Sequence, residues 1–179
     1  MNRIGIAFPK ALYMVTEHPK VYEFNRKYVT YANLTTTRYG RRDPVYYVGL
    51  HFHSLYSFGN NWTVDFYFYQ FLSNEYKRSF VEMHFGWCDL IKKDKFFGQA
   101  MNQGRFLEQP KCPFAPGYYH LYNMTVPVTS IPWNFPFTKG RIYANVTATG
   151  TGEILARGYI NMELKPCKHI RMGRHVPND

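Results

Sequence analysis

The strongest signal along the chain is a period of two. From 62 to 72 the even positions read Trp62, Val64, Phe66, Phe68, Gln70 and Leu72, while the odd ones open Thr63, Asp65, Tyr67, Tyr69. Such alternation sets one side of a strand on a core and leaves the other to solvent. Residues 45–54 repeat it, with Tyr46, Val48, Leu50 and Phe52 opposed to Tyr47, His51 and His53. Phe58-Gly59-Asn60-Asn61 between the two runs has turn chemistry, so they are expected to pair as a hairpin. A second hairpin is better defined. Residues 141–149 place Ile142, Ala144, Val146 and Ala148 on one side and Arg141, Tyr143, Asn145 and Thr147 on the other. Gly150-Thr151-Gly152 turns the chain, and 153–164 returns with Ile154, Ala156, Ile160, Met162 and Leu164 inward and Glu153, Arg157, Asn161 and Glu163 outward.

Residues 28–37, 77–85 and 118–126 read as further strands, which makes seven or more and points to an antiparallel β-sandwich or open β-cup. One stretch breaks the pattern. Trp87, Leu90, Ile91, Phe97 and Met101 recur at helical spacing, with Asp89 placed to cap a short helix. The QPKCPFAPGYY that follows is too rich in proline for a helix and returns as a loop. The organisation read from these patterns is one domain at 28–166, an N-terminal extension at 1–27 and a basic tail at 167–179.

Length and composition narrow this picture. A chain of 179 residues can bury a core of its own. No stretch reaches the roughly 18 apolar residues that would span a bilayer as a helix. The first twenty residues have a positive start but no sustained apolar run, so a secretory signal peptide is expected to have been removed already. The net charge of +10 comes from 22 Lys and Arg against 12 Asp and Glu. Its clusters are short, at Arg38–Arg41–Arg42, Lys92–Lys93–Lys95 and 165–174, which describes a solvated basic surface better than a nucleic-acid groove.

Four N-x-T sequons, at Asn33, Asn61, Asn123 and Asn145, bear on compartment. Asn145 lies on the polar face of its strand, Asn33 faces away from Ala32 and Leu34, and Asn61 sits at a turn; Leu121 shares a side with Asn123 and leaves that site ambiguous. Three cysteines are an odd count. In a secreted chain Cys88 and Cys112 would close a loop of about 25 residues, worth roughly 3 to 4 kcal/mol. Cys167 is then unpaired, joined to another chain, or short of a partner on an absent segment. There is no CxxC pair to suggest zinc or a redox centre.

The runs FGWCDLIKKDKFFGQ, KCPFAPGYYHLYNMTVP, IPWNFPFTKGRIYANV and GEILARGYINMELKP resemble the insect CheB-like secreted proteins and their relatives, a family of unknown function related to the ML lipid-recognition superfamily with its ganglioside activators. The resemblance covers about 28–166. It is most specific at Cys88, at Cys112-Pro113 ahead of Gly117-Tyr118-Tyr119, and in the final hairpin. It implies a β-cup with a short helical flap, a Cys88–Cys112 bond, secretion, glycosylation and a non-enzymatic role in binding a lipid- or pheromone-like molecule, as in chemosensation. A late cysteine in such proteins often pairs with one near the N-terminus, and residues 1–27 hold none.

Candidate chemistry follows from these expectations. An apolar ligand would enter beside Phe96 and Phe97 on the flap and Ile131, Trp133, Phe135 and Phe137 in the proline-stiffened IPWNFPF loop. The same rings could instead plug the core or dock another secreted protein, the alternative being a structural or interaction subunit with a filled core. The basic rim would orient an anionic membrane surface or a receptor. His51 and His53 share a strand face that could chelate a metal, but no third ligand is evident and no metal or cofactor is expected. GxSxG, HExxH, P-loop and GxGxxG motifs are all missing, so no catalytic residue is expected. Nucleic acid is not an expected partner, because the aromatics fall largely on inward faces.

Overall fold

The computed structural model describes residues 11–104 and 111–166. Its elements, in chain order, are β1 (Leu12–Phe24), β2 (Val29–Thr37), β3 (Tyr47–Ser54), β4 (Trp62–Leu72), β5 (Glu75–Gly86), α1 (Trp87–Lys93), α2 (Phe97–Gln103), β6 (Gly117–Met124), β7 (Lys139–Ala148) and β8 (Ile154–Pro166). They form two antiparallel sheets, β1-β8-β7-β4-β5 and β2-β3-β6, so the protein is a β-sandwich with a short helical flap.

The alternation at β4 is realised residue by residue. Trp62, Val64, Phe66 and Phe68 are buried, while Thr63, Asp65, Tyr67 and Tyr69 are not. Ser73 and Asn74, at φ +51° and +62°, close the β4–β5 hairpin as a two-residue turn whose twist matches the strands. The β7–β8 hairpin turns where expected, with Gly152 at φ +70°. Its return strand carries a correction. The pairing slips between Val146 and Thr147, which leaves Leu155 as an extra residue. Leu155 is thereby turned inward and fully buried, while Ile154 is only half-buried.

Two larger expectations give way. The segments 45–54 and 62–72 do not pair with each other, because β3 and β4 belong to different sheets. The connection between them carries Phe58, which is 0% exposed and exchanges backbone hydrogen bonds with Phe114 at 3.0 and 2.7 Å. A surface turn would leave that ring in water, so the chain crosses the end of the sandwich and buries it. The N-terminal segment is not all extension either. Leu12–Phe24 lies along β8 as the edge strand of the large sheet, and its Met14, Val15 and Thr16 are buried. It was hard to read because the pairing breaks between Glu17 and Lys20, where His18 takes φ +51°, and again between Val21 and Glu23. The tail at 167–179, with Cys167, lies outside the described residues.

The helical stretch is two helices of seven residues each. Asp89 does not cap α1. It occupies the first turn, and its backbone N–H donates to Asn60 Oδ1 at 3.2 Å, so a side chain from the β3–β4 crossing does the capping. Helices this short are not stable alone. They are held by the buried Trp87, Leu90, Ile91, Ala100 and Met101 and by the Cys88–Cys112 disulfide, whose Cα atoms stand 5.8 Å apart.

Candidate functional site

The end of the sandwich where β3 finishes and β4 begins is packed with rings. Phe58 stacks on Trp62 and Phe114 at 4.6 and 5.2 Å, and Trp87 meets Phe52 and Phe58 edge-on at 5.8 and 5.5 Å. Tyr28 Oη donates to Glu153 Oε2 at 2.7 Å, and Asn25 Nδ2 to Glu153 Oε1 at 3.1 Å, tying the β1–β2 turn to the β7–β8 hairpin. The hydrogen bond from Tyr28 holds the Glu153 carboxyl below its usual range. This end is a closed floor.

Above the floor the two sheets touch along β2 and β8 but do not close on each other throughout. A cavity of about 220 Å³ lies between them. Sheet β1-β8-β7-β4-β5 contributes Val64, Phe66, Ile142, Ala144, Val146 and Ile160; sheet β2-β3-β6 contributes Ala32, Leu34, Val48, Leu50 and Phe52; the flap contributes Trp87, Leu90, Phe97, Ala100 and Met101. Ala144 and Val146 belong to the middle strand of five, and Val48 and Leu50 to the middle strand of three, yet all four are only partly buried. Inward side chains on a central strand stay accessible only when the space facing them is open. The volume exceeds the roughly 150 Å³ cavity that can hold benzene in an otherwise packed core.

The cavity wall is almost wholly apolar. Arg157 reaches it from β8; its Nη1 lies 3.4 Å from Glu23 Oε2, while its Nε is buried without a hydrogen-bond partner. Thr16, on β1, is 8% exposed, and its Oγ1 is buried without a hydrogen-bond partner.

Of the six expected lining residues, Phe97 faces the cavity, stacked on Phe66 at 4.1 Å. Phe96 packs behind it, edge-on to Phe97 at 4.7 Å. Phe135 leans on Phe68 and Phe137 at 5.7 and 5.0 Å, and Ile131 and Phe137 are buried in the core cluster. These rings plug the end opposite the floor rather than line a mouth. Trp133 is 73% exposed and, away from the cavity, borders a cleft with Leu12, Val128 and Ile131. The lining that the site reading missed consists of the small and aliphatic inward positions of strands it had already found. A ring announces itself in a sequence, whereas a void left by alanines and valines does not.

The histidines also regroup. His53 stacks on Tyr118 at 4.1 Å and bonds Thr30, while His51 Nδ1 meets His120 Nδ1 at 2.9 Å across β3 and β6. Burial, and then the neighbouring His120, pushes the His51 pKa down. Among the described residues no group of three or more His, Cys, Asp or Glu is placed to hold a metal ion. The aromatic residues divide by type. Trp62, Phe66 and Phe68 of β4 point inward, while Tyr67, Tyr69, Tyr143 and Tyr159 line the outer face with Arg141, which lies 4.1 Å from the Tyr76 and Tyr159 rings. The expectation that aromatics lie largely inward therefore holds for Trp62, Phe66 and Phe68 but not for these tyrosines, nor for Phe80 and Trp133, which are exposed.

Asn33, Asn61 and Asn123 are exposed, and Asn145 is half-buried between Asp65 and Arg157. Asn123 escapes the Leu121 face because it takes φ +56° where the β3–β6 pairing slips, which sends Met124 inward instead. Among the described residues no helix is long and apolar enough to cross a membrane. No known family model matches the chain, and no curated protein is similar to it.

Proposed function

We propose that the protein is a secreted glycoprotein that carries an apolar, lipid- or pheromone-like molecule between its sheets, of the kind its resemblance to CheB-like and ML proteins suggests. The observation that carries this reading is the open space in the middle of the sandwich, faced by the only partly buried Leu50, Ala144 and Val146. A chain selected only to fold would close that space, since each buried methylene adds about 0.8 kcal/mol. An apolar occupant recovers the same term by leaving water. The disulfide and three exposed sequon asparagines support an oxidising, extracellular setting. The sequence has no GxSxG, HExxH or P-loop motif, and the proposed role is binding.

The competing reading is an interaction subunit with a filled core. The cavity weighs against the filled core, and the exposed indole of Trp133 favours a partner surface. The two separate in native mass spectrometry of protein from its natural source, run before and after solvent extraction. The carrier reading expects a one-to-one adduct of lipid-like mass that extraction removes. A bare glycoprotein mass, or a disulfide-linked multimer, overturns it.

A further inference from the structure

We infer that the cavity is built for an amphiphile with a single uncharged oxygen group, and that Thr16 Oγ1 is its anchor; this rests on the carrier reading above. Thr16 faces inward beside Met14 on β1, paired with Met162 of β8, in a wall that is otherwise hydrocarbon. Its side chain is 8% exposed and its Oγ1 has no hydrogen-bond partner. A buried hydroxyl left unbonded is a liability that folded proteins rarely carry without a bound water or ligand to meet it. Valine has the same shape and would remove the liability outright. The other oxygen-bearing residues of the wall, Tyr46, Thr125 and Tyr159, are half-buried.

The position of Thr16 gives the ligand a direction. Its row passes through Met162 to Gly140, six residues along β7 from the row of Val146, or about 20 Å at the strand rise. The space is therefore a slot along the strands. A polar group at Thr16 sends a hydrocarbon tail toward the rings of Phe52, Trp62 and Trp87 at the floor. A hydroxyl both donates and accepts, so an alcohol, aldehyde, ketone or ester oxygen suits it. A carboxylate does not, because a buried charge needs a paired cation, and Arg157, whose Nη1 pairs with Glu23 and whose Nε is buried without a partner, lies five residues along β8 from Met162, the cross-strand partner of Thr16.

The test is displacement of the neutral probe N-phenyl-1-naphthylamine from the full-length protein by decane, 1-decanol and decanoate. Thr16→Val is expected to weaken 1-decanol about fivefold, within the range of one neutral hydrogen bond, and to leave decane unchanged. Thr16→Ser keeps the hydroxyl and is expected to keep the wild-type affinity for 1-decanol. Thermal melting of both variants guards against a folding defect, and Thr16→Val should melt no lower than wild type. Equal loss of decane and decanol in Thr16→Val, or no loss of either, overturns the anchor while leaving the carrier intact. Tightest binding by decanoate at neutral pH overturns the uncharged head group. Failure of the probe and all three ligands to bind wild type sinks the carrier reading and the anchor together.

Discussion

His84 shows how a single side chain can be read from chemistry once its neighbours are known. It stands opposite Asp65 on the β4–β5 hairpin, with Nδ1 2.6 Å from Asp65 Oδ1 and Nε2 3.2 Å from Glu82 Oε1. The bond to Asp65, and then that to Glu82, raises its pKa above the ordinary value of 6.5. A raised folded-state pKa means that the charged form is favoured by folding. The stabilisation is thus fully present below about pH 6.5 and is lost as pH rises through the folded-state value. His84 is 48% exposed, so solvent screens the pair to about 0.5 kcal/mol or less. We expect a proton NMR titration of His84 with its midpoint above 6.5. We also expect His84→Gln to lower stability at pH 5 and leave it unchanged at pH 9. A midpoint below 6.5 refutes the assignment. Glu82 sits two positions from His84 on one strand face, a spacing visible in the sequence, whereas Asp65 becomes its neighbour only through the register of the hairpin.

Among the elements, the flap depends most on its staples. Its helices cover the β4–β5 edge and form one wall of the cavity, and neither is long enough to persist unaided. Replacing Cys88 and Cys112 together by serine should cost about 3 to 4 kcal/mol. Hydrogen exchange is expected to rise first in Trp87–Lys93 and Phe97–Gln103, with the β7–β8 ladder still protected; uniform loss of protection would contradict a separately held flap. Gly98 is the second staple. A Cβ there would run into the Leu90 carbonyl oxygen, so the helices pack at a distance that only glycine allows. Gly98→Ala should destabilise by about 1 to 3 kcal/mol in chemical denaturation, through overpacking at a backbone contact that cannot swing away. The strands themselves were legible because each of β4, β7 and most of β8 has one wet and one dry face. The edge strand β1 escaped notice because its two pairing breaks erase that alternation.

For the whole molecule, the decisive quantity is the gap between the sheets. Filling it gives a direct check on what it is for. Ala144 points into the cavity from the central strand, so Ala144→Leu should raise the melting midpoint by about 2 to 4 °C, as cavity-filling changes commonly do in chains of this size. The same variant should lose apolar-probe binding at least about tenfold. A variant that is stabilised but still binds would place the ligand elsewhere. The sequence alone determined the fold class, the faces of most strands, the β7–β8 turn and the exposure of Asn33 and Asn61. Those features follow from local rules, a two-residue period and turn chemistry, which act within a few positions of each other. Tertiary structure alone decided that β3 and β4 part company, that residues 12–24 complete the large sheet, and that IPWNFPF is a plug. It also decided that small side chains leave room where two sheets face. That outcome depends on sheet separation and on the flap between them, quantities that no local pattern encodes, because a void is set by what lies across it.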